Sequence, residues 1–76
     1  PFNLTTKISF SLPENDFVTL KVYDILGSEV KTLVNEKMEA GKYEMNFDAS
    51  SLPSGAYIYR IVTSKFNSTK KMMLIK

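Results

Sequence analysis

The chain has 76 residues, 43% hydrophobic and 24% charged, with ten basic side chains against eight acidic ones and a net charge of +2. This length holds one domain, residues 1–76, and a chain so short hides only about 60–65% of the surface its unfolded form exposes, so its core must be efficient. Recurrent Val, Ile, Leu, Phe and Tyr with so small a net charge exclude intrinsic disorder. The lack of Cys and His removes thiol nucleophiles, the usual zinc ligands and the commonest general base.

Read in chain order, alternation dominates. Ile8, Phe10 and Leu12 lie at period two with Lys7, Ser9 and Ser11 between them, the pattern of a half-buried strand. Pro13-Glu14-Asn15-Asp16 reads as a turn. Val18, Leu20 and Val22 then alternate with Thr19, Lys21 and Tyr23 in a second strand. Asp24-Ile25-Leu26-Gly27 reverses the chain, with Gly27 suited to a positive φ angle, so a hairpin is expected.

Val30, Leu33 and Val34 also fit helical spacing. The stretch is short and rich in β-branched residues, so it reads as the hairpin's second strand. Asn35 to Ala40 is polar and reads as a connection ending in a turn at Gly41. Tyr43, Met45 and Phe47 alternate with Lys42, Glu44 and Asn46 in a further strand. Residues 48–55 are dense in turn formers. Beyond them, Tyr57, Tyr59 and Ile61 share one face and Ile58, Arg60 and Val62 the other, as in a central strand. After a turn at Ser64-Lys65-Phe66-Asn67, Thr69 to Ile75 forms the last strand, and the apolar run from Met72 leaves its inward phase open.

This rhythm predicts an all-β fold: an immunoglobulin/fibronectin III-like antiparallel β-sandwich of about seven strands. Its expected core is Ile8, Phe10, Leu20, Val22, Tyr43, Met45, Phe47, Tyr57 and Ile61. Leu52-Pro53-Ser54-Gly55-Ala56-Tyr57 has the order of a tyrosine corner, in which the phenol bonds back to main chain near the bend. A simply buried Tyr57 is the alternative. Asp24, Gly27, Leu52, Pro53, Gly55 and Tyr57 are thus the expected turn and corner residues.

Catalytic machinery is not expected. A sandwich this small has little room for paired carboxylates in a cleft, serines stand without a base, and the three glycines are too dispersed to cradle phosphate. No cofactor is implied. Asp16, Asp24 and Asp48 sit at turns, where Asp usually bonds its own backbone; calcium binding there is the minor alternative. Lys70 and Lys71 with Tyr57 and Tyr59 are too modest a basic set to specify nucleic acid. No apolar run approaches the ~20 residues of a membrane span. The chain opens at Pro1 with neither a methionine nor a signal peptide, and reads as a processed product or an excised piece.

Charge is unevenly placed. Residues 1–48 hold all eight acids against five lysines, a balance of −3, whereas residues 49–76 hold Arg60, Lys65, Lys70, Lys71 and Lys76 with no acid, a balance of +5. Two readings stand: lysines guarding an exposed strand edge, or a basic docking end for a partner.

Four segments carry a resemblance. Residues 1–13, PFNLTTKISFSLP, resemble the "NPFNPTTxIxFxLP" opening of the type A C-terminal sorting domains of the bacterial type IX secretion system. LKVYDILGSEV at 20–30 resembles their "LxVYDxxGxxV" hairpin, LPSGAYIYR at 52–60 their "LxSGxYxYR" segment, and KKMMLIK at 70–76 their "KKMxLxK" end. The order is the same and the whole chain is covered. The chain starts after the leading Asn, and Leu4 stands where the family usually has Pro. The Ig-like domain of flagellar hook-capping proteins has a similar hairpin and "SGxYxY" segment, but the terminal lysine-flanked strand favours the sorting domain.

The resemblance implies an Ig-like module at the C-terminus of a larger exported protein. It implies a cargo domain upstream in the same polypeptide, and recognition by an outer-membrane translocon after folding in the periplasm. A sortase-like surface protease then removes many such domains, leaving cargo secreted or on the cell surface. Lys70, Lys71, Met72, Met73, Leu74, Ile75 and Lys76 are the expected recognition end. The alternative function is a structural Ig-like module in an extracellular or flagellar assembly.

Overall fold

The computed structural model describes residues 5–75. The strands are β1 (Thr5–Leu12), β2 (Asp16–Asp24), β3 (Glu29–Met38), β4 (Gly41–Asp48), β5 (Gly55–Val62) and β6 (Asn67–Leu74). Among the described residues there are six, one at each run read in chain order, rather than the seven or so expected of the sandwich as a whole. Asn35–Met38, read from sequence as part of a connection, instead continues β3.

β1 and β4 pair antiparallel as one sheet; the other has the order β3-β2-β5-β6, antiparallel throughout. Period-two alternation turns Ile8, Phe10, Leu12 and Phe47 of the small sheet into one core with Val18, Leu20, Val22, Val34, Tyr57, Ile61 and Leu74 of the large one. Ala49 joins them from the connection. This is the expected immunoglobulin-like sandwich. Each fully hidden side chain, such as Phe47 or Leu20, contributes about 1.5–3 kcal/mol by leaving water. Of the expected core, Tyr43 and Met45 are half-buried against this cluster, and Tyr43 stacks on Phe10 with ring centroids 5.3 Å apart.

The helix-like spacing of Val30, Leu33 and Val34 has a physical origin. Leu20 faces Val34 and Lys21 faces Thr32, so Leu33 is an extra residue; Val22 faces Lys31 and Tyr23 faces Glu29, so Val30 is another. Each bulge shifts the phase by one. Lys31 consequently lies opposite buried Val22 and sets its Nζ 5.8 Å from the centroid of the Phe47 ring.

The connections secure the two ends. Asn15 and Ala40 lie on two of the three crossings between sheets, and the Ala40 N–H donates to Asn15 Oδ1 at 2.8 Å. The Ser64 hydroxyl and N–H donate to Asp16 Oδ2 at 2.8 and 3.2 Å, fastening the β5–β6 hairpin to the start of β2. The β2–β3 turn, the 49–54 connection and the last residues of β6 lie at the opposite end.

Candidate recognition surface

The β2–β3 turn is built on Asp24. Its Oδ1 accepts from the N–H groups of Leu26 and Ser28 at 3.0 and 2.9 Å, and its carbonyl accepts from Gly27 N–H at 3.0 Å. Gly27 has φ 89°, a left-handed conformation that a side chain resists. Nearby, the Tyr57 phenol donates to the Pro53 carbonyl at 2.8 Å, forming the tyrosine corner, while Leu52 packs half-buried against the core. Gly55, at φ 153°, opens β5 between bend and tyrosine. The same device occurs a second time, since the Tyr43 phenol donates to the Glu39 carbonyl. Sequence reading missed that corner, although Gly41-Lys42-Tyr43 repeats the spacing of Gly55-Ala56-Tyr57.

β6 ends the four-stranded sheet. Its pairing with β5 settles the phase left open by the sequence. Leu74 faces Gly55 and is buried; Met72 faces Tyr57 and is half-buried. Lys71 and Met73 face Ile58 and Ala56 on the outer side of the sheet, both exposed. Lys70, opposite Tyr59, and Ile75 are exposed as well. Lys76 lies outside the described residues. The terminal segment is therefore split: Leu74 and Met72 hold the strand down, and Lys70, Lys71, Met73 and Ile75 face water.

The outer face beside β6 holds residues that sequence reading did not single out as a site. Tyr23, Gly27, Ile58, Arg60 and Thr69 line an open depression of about 270 Å³. Pairing produces it: Tyr23 lies opposite Ile58, and Arg60 opposite Thr69. On the same face the Lys21 ammonium lies 3.1 Å from Glu29 Oε1. That carboxylate, hydrogen bonded by the Thr32 hydroxyl at 2.7 Å and paired with Lys21, titrates below the ordinary Glu range, and Lys21 is raised by the same contact. Asp16 is held low chiefly by the Ser64 hydroxyl, then by the Phe17 and Ser64 N–H groups and the charge of Lys65.

The turn aspartates point to structure. Asp48 Oδ1 accepts from Ser50 N–H at 3.0 Å, as Asp16 and Asp24 accept from their own turns. Among the described residues no three carboxylates converge as a cation would need.

A family model described as a secretion system C-terminal sorting domain matches residues 1–76, the whole chain. The chain belongs to that family. Neither a search of curated proteins nor one of solved structures returned a match. Domains of this family are the C-terminal sorting signal of type IX secretion, so this sorting domain directs a larger exported bacterial protein through that system, to the cell surface or beyond. Membership implies a cargo domain and the type IX machinery as partners. Among the described residues no helix is long and apolar enough to cross a membrane.

Proposed function

We propose that the sorting domain is recognised, already folded, by the outer-membrane translocon through β6, the module itself carrying no catalytic chemistry. The observation that supports this is the placement of charge: β6 is a sheet edge on which Lys70 and Lys71 are exposed, within a stretch from residue 49 onward that has no acid. A signal that passes as a folded object needs a rigid body and an accessible margin, and charge steers its encounter with an acidic partner. Cargo emerges from the periplasm with the module attached, and a sortase-like protease at the surface removes it.

The test is export of a reporter fused to the domain. Deleting the terminal residues is a poor probe, because Leu74 and Met72 belong to the packed body. Lys70→Glu with Lys71→Glu changes exposed positions and should retain the reporter in the periplasm, while Lys7→Glu with Lys42→Glu exports normally. Normal export of the folded, charge-reversed β6 variant reduces these lysines to guards of the edge and overturns the reading. A purely structural module predicts that outcome.

A further inference from the structure

β6 runs beside β5 for eight successive pairs without a register shift, from Gly55 opposite Leu74 to Val62 opposite Asn67. Its other side pairs with no strand among the described residues, so a regular row of main-chain donors and acceptors faces outward. Proline and bulges, the usual means of blunting such an edge, are absent from Asn67–Leu74; only Lys70 and Lys71 protect it. The small sheet, both of whose strands are edges among the described residues, differs. Lys7, Ser9 and Ser11 alternate with its buried residues, so a strand added there finds a polar outer face.

Beside β6 that face is apolar and indented. Ile58 and Tyr23 form the half-buried floor of the depression, Arg60 lines it, and Thr69 is the short side chain between it and the free edge. Met73, 61% exposed, continues the apolar strip opposite Ala56. Strand addition uses this combination: main-chain hydrogen bonds give affinity, and pockets for alternate side chains give selectivity. Charge indicates the occupant. Arg60 and Lys71 lie on the face of the depression, Lys70 adds its charge to the same free edge from the other face, and Glu29, the acid on this face, is engaged by Lys21. A second copy fits poorly, because antiparallel β6–β6 pairing about its middle sets lysines against lysines.

We propose that β6 is a strand-addition site for an extended acidic segment of the secretion machinery, which pairs with its free edge and lodges one aromatic or branched aliphatic side chain over Thr69, between Tyr23, Ile58 and Arg60. This rests on β6 being the recognised element and adds how it is read.

Two kinds of variant test it. Successive N–H groups of a strand point to opposite sides, so of Thr69→Pro and Lys70→Pro one removes a bond to β5 and the other only a free-edge donor. The one that keeps the parent melting temperature is the edge-blocked protein. Thr69→Trp instead fills the depression from within and leaves the edge intact. The probe is a synthetic peptide alternating Glu and Val around a central Phe, titrated into the isotope-labelled chain. Amide shifts should concentrate on β6 and at Tyr23, Ile58 and Arg60, and either variant should weaken binding by about tenfold or more. Shifts centred on the small sheet, no binding to the parent, or binding to both variants as tight as to the parent would refute strand addition. Concentration-dependent β6 shifts without peptide would name a second copy as the occupant and refute it too. In the export assay both variants should retain the reporter. Should Lys70→Glu with Lys71→Glu block export while these two do not, charge recognition stands and strand addition fails. Should none of them block it, β6 is not the recognised element.

Discussion

β3 and β6 flank the same four-stranded sheet and meet solvent in opposite ways. β3 is broken by extra residues at Val30 and Leu33 and mixes Glu29, Lys31, Glu36 and Lys37 along its length. β6 keeps its register through every pair and carries lysines alone. A bulged edge with both signs of charge is twisted and offers no continuous ladder, so it rejects pairing. A regular edge with one sign of charge rejects copies of itself and still admits a strand of opposite sign. One margin is closed to all comers, and the other is selective.

That contrast needs a rigid centre, so the largest effect expected is on β2, between β3 and β5. Leu20 is fully buried at the first bulge, opposite Val34 and Ile61. Leu20→Ala should cost about 2–5 kcal/mol, a large part of what a domain of this size possesses. Chemical denaturation with an unchanged midpoint would show that the strand is not packed as described.

Next in size is the turn that sets the bulged edge. Gly27→Val forces a β-branched residue to φ 89° and should cost about 1–3 kcal/mol. No packing clash contributes, since a Cβ there meets nothing within 4 Å. Ser28→Ala, whose contacts here are main-chain, should leave the melting temperature near that of the parent. Equal losses from the two would remove backbone strain as the cause.

A smaller effect is expected at the corner that leads into β5 and so aligns β6. Tyr57→Phe keeps the buried ring and removes the hydrogen bond to Pro53, for about 0.5–1.5 kcal/mol. Hydrogen exchange should quicken at the Gly55 end of β5 and not in β3. Uniform quickening would mean that the corner stabilises the whole sandwich rather than the β6 side.

What the sequence revealed follows from the same contrast. Strands that keep strict alternation, β1, β2 and β4, were legible face by face, because burial repeats every second position, although buried Leu12 and Val18 were not in the expected core. β5 was legible as a central strand from its two apolar faces. β3 was recognisable as a strand, yet its two bulges disguised its phase as helical spacing. β6 was recognisable too, but Met72-Met73-Leu74-Ile75 is apolar in either phase; only the pairing of Gly55 with Leu74 decides it. The depression was illegible for a different reason. Tyr23, Ile58, Arg60 and Thr69 come from three strands, and nothing local in any of them announces that cross-strand register sets them together.

The smallest expected effect separates the two margins by pH. Each is fastened by one carboxylate held below its ordinary range: Glu29, bonded by the Thr32 hydroxyl and Lys21, at β3, and Asp16, bonded chiefly by the Ser64 hydroxyl, at the hairpin that leads into β6. A carboxylate lowered in the folded state stabilises it fully above the unfolded value and loses that contribution as pH falls through the folded one. Both margins should therefore loosen in acid. Lys21 behaves in the opposite sense: its folded value is raised, so its contribution is complete below the unfolded lysine value and disappears as pH climbs through the folded one. The β3 margin should consequently loosen at both extremes, and the Asp16 contact at the acid end alone. These groups are solvent-exposed and screened, so small shifts in local amide exchange are the appropriate measurement. Asp16→Asn should abolish the acid response near Ser64 and spare the one near Thr32; Glu29→Gln should do the reverse and flatten the alkaline response as well. An alkaline response that survives Glu29→Gln would mean that another group, not the Lys21–Glu29 pair, fastens the bulged edge.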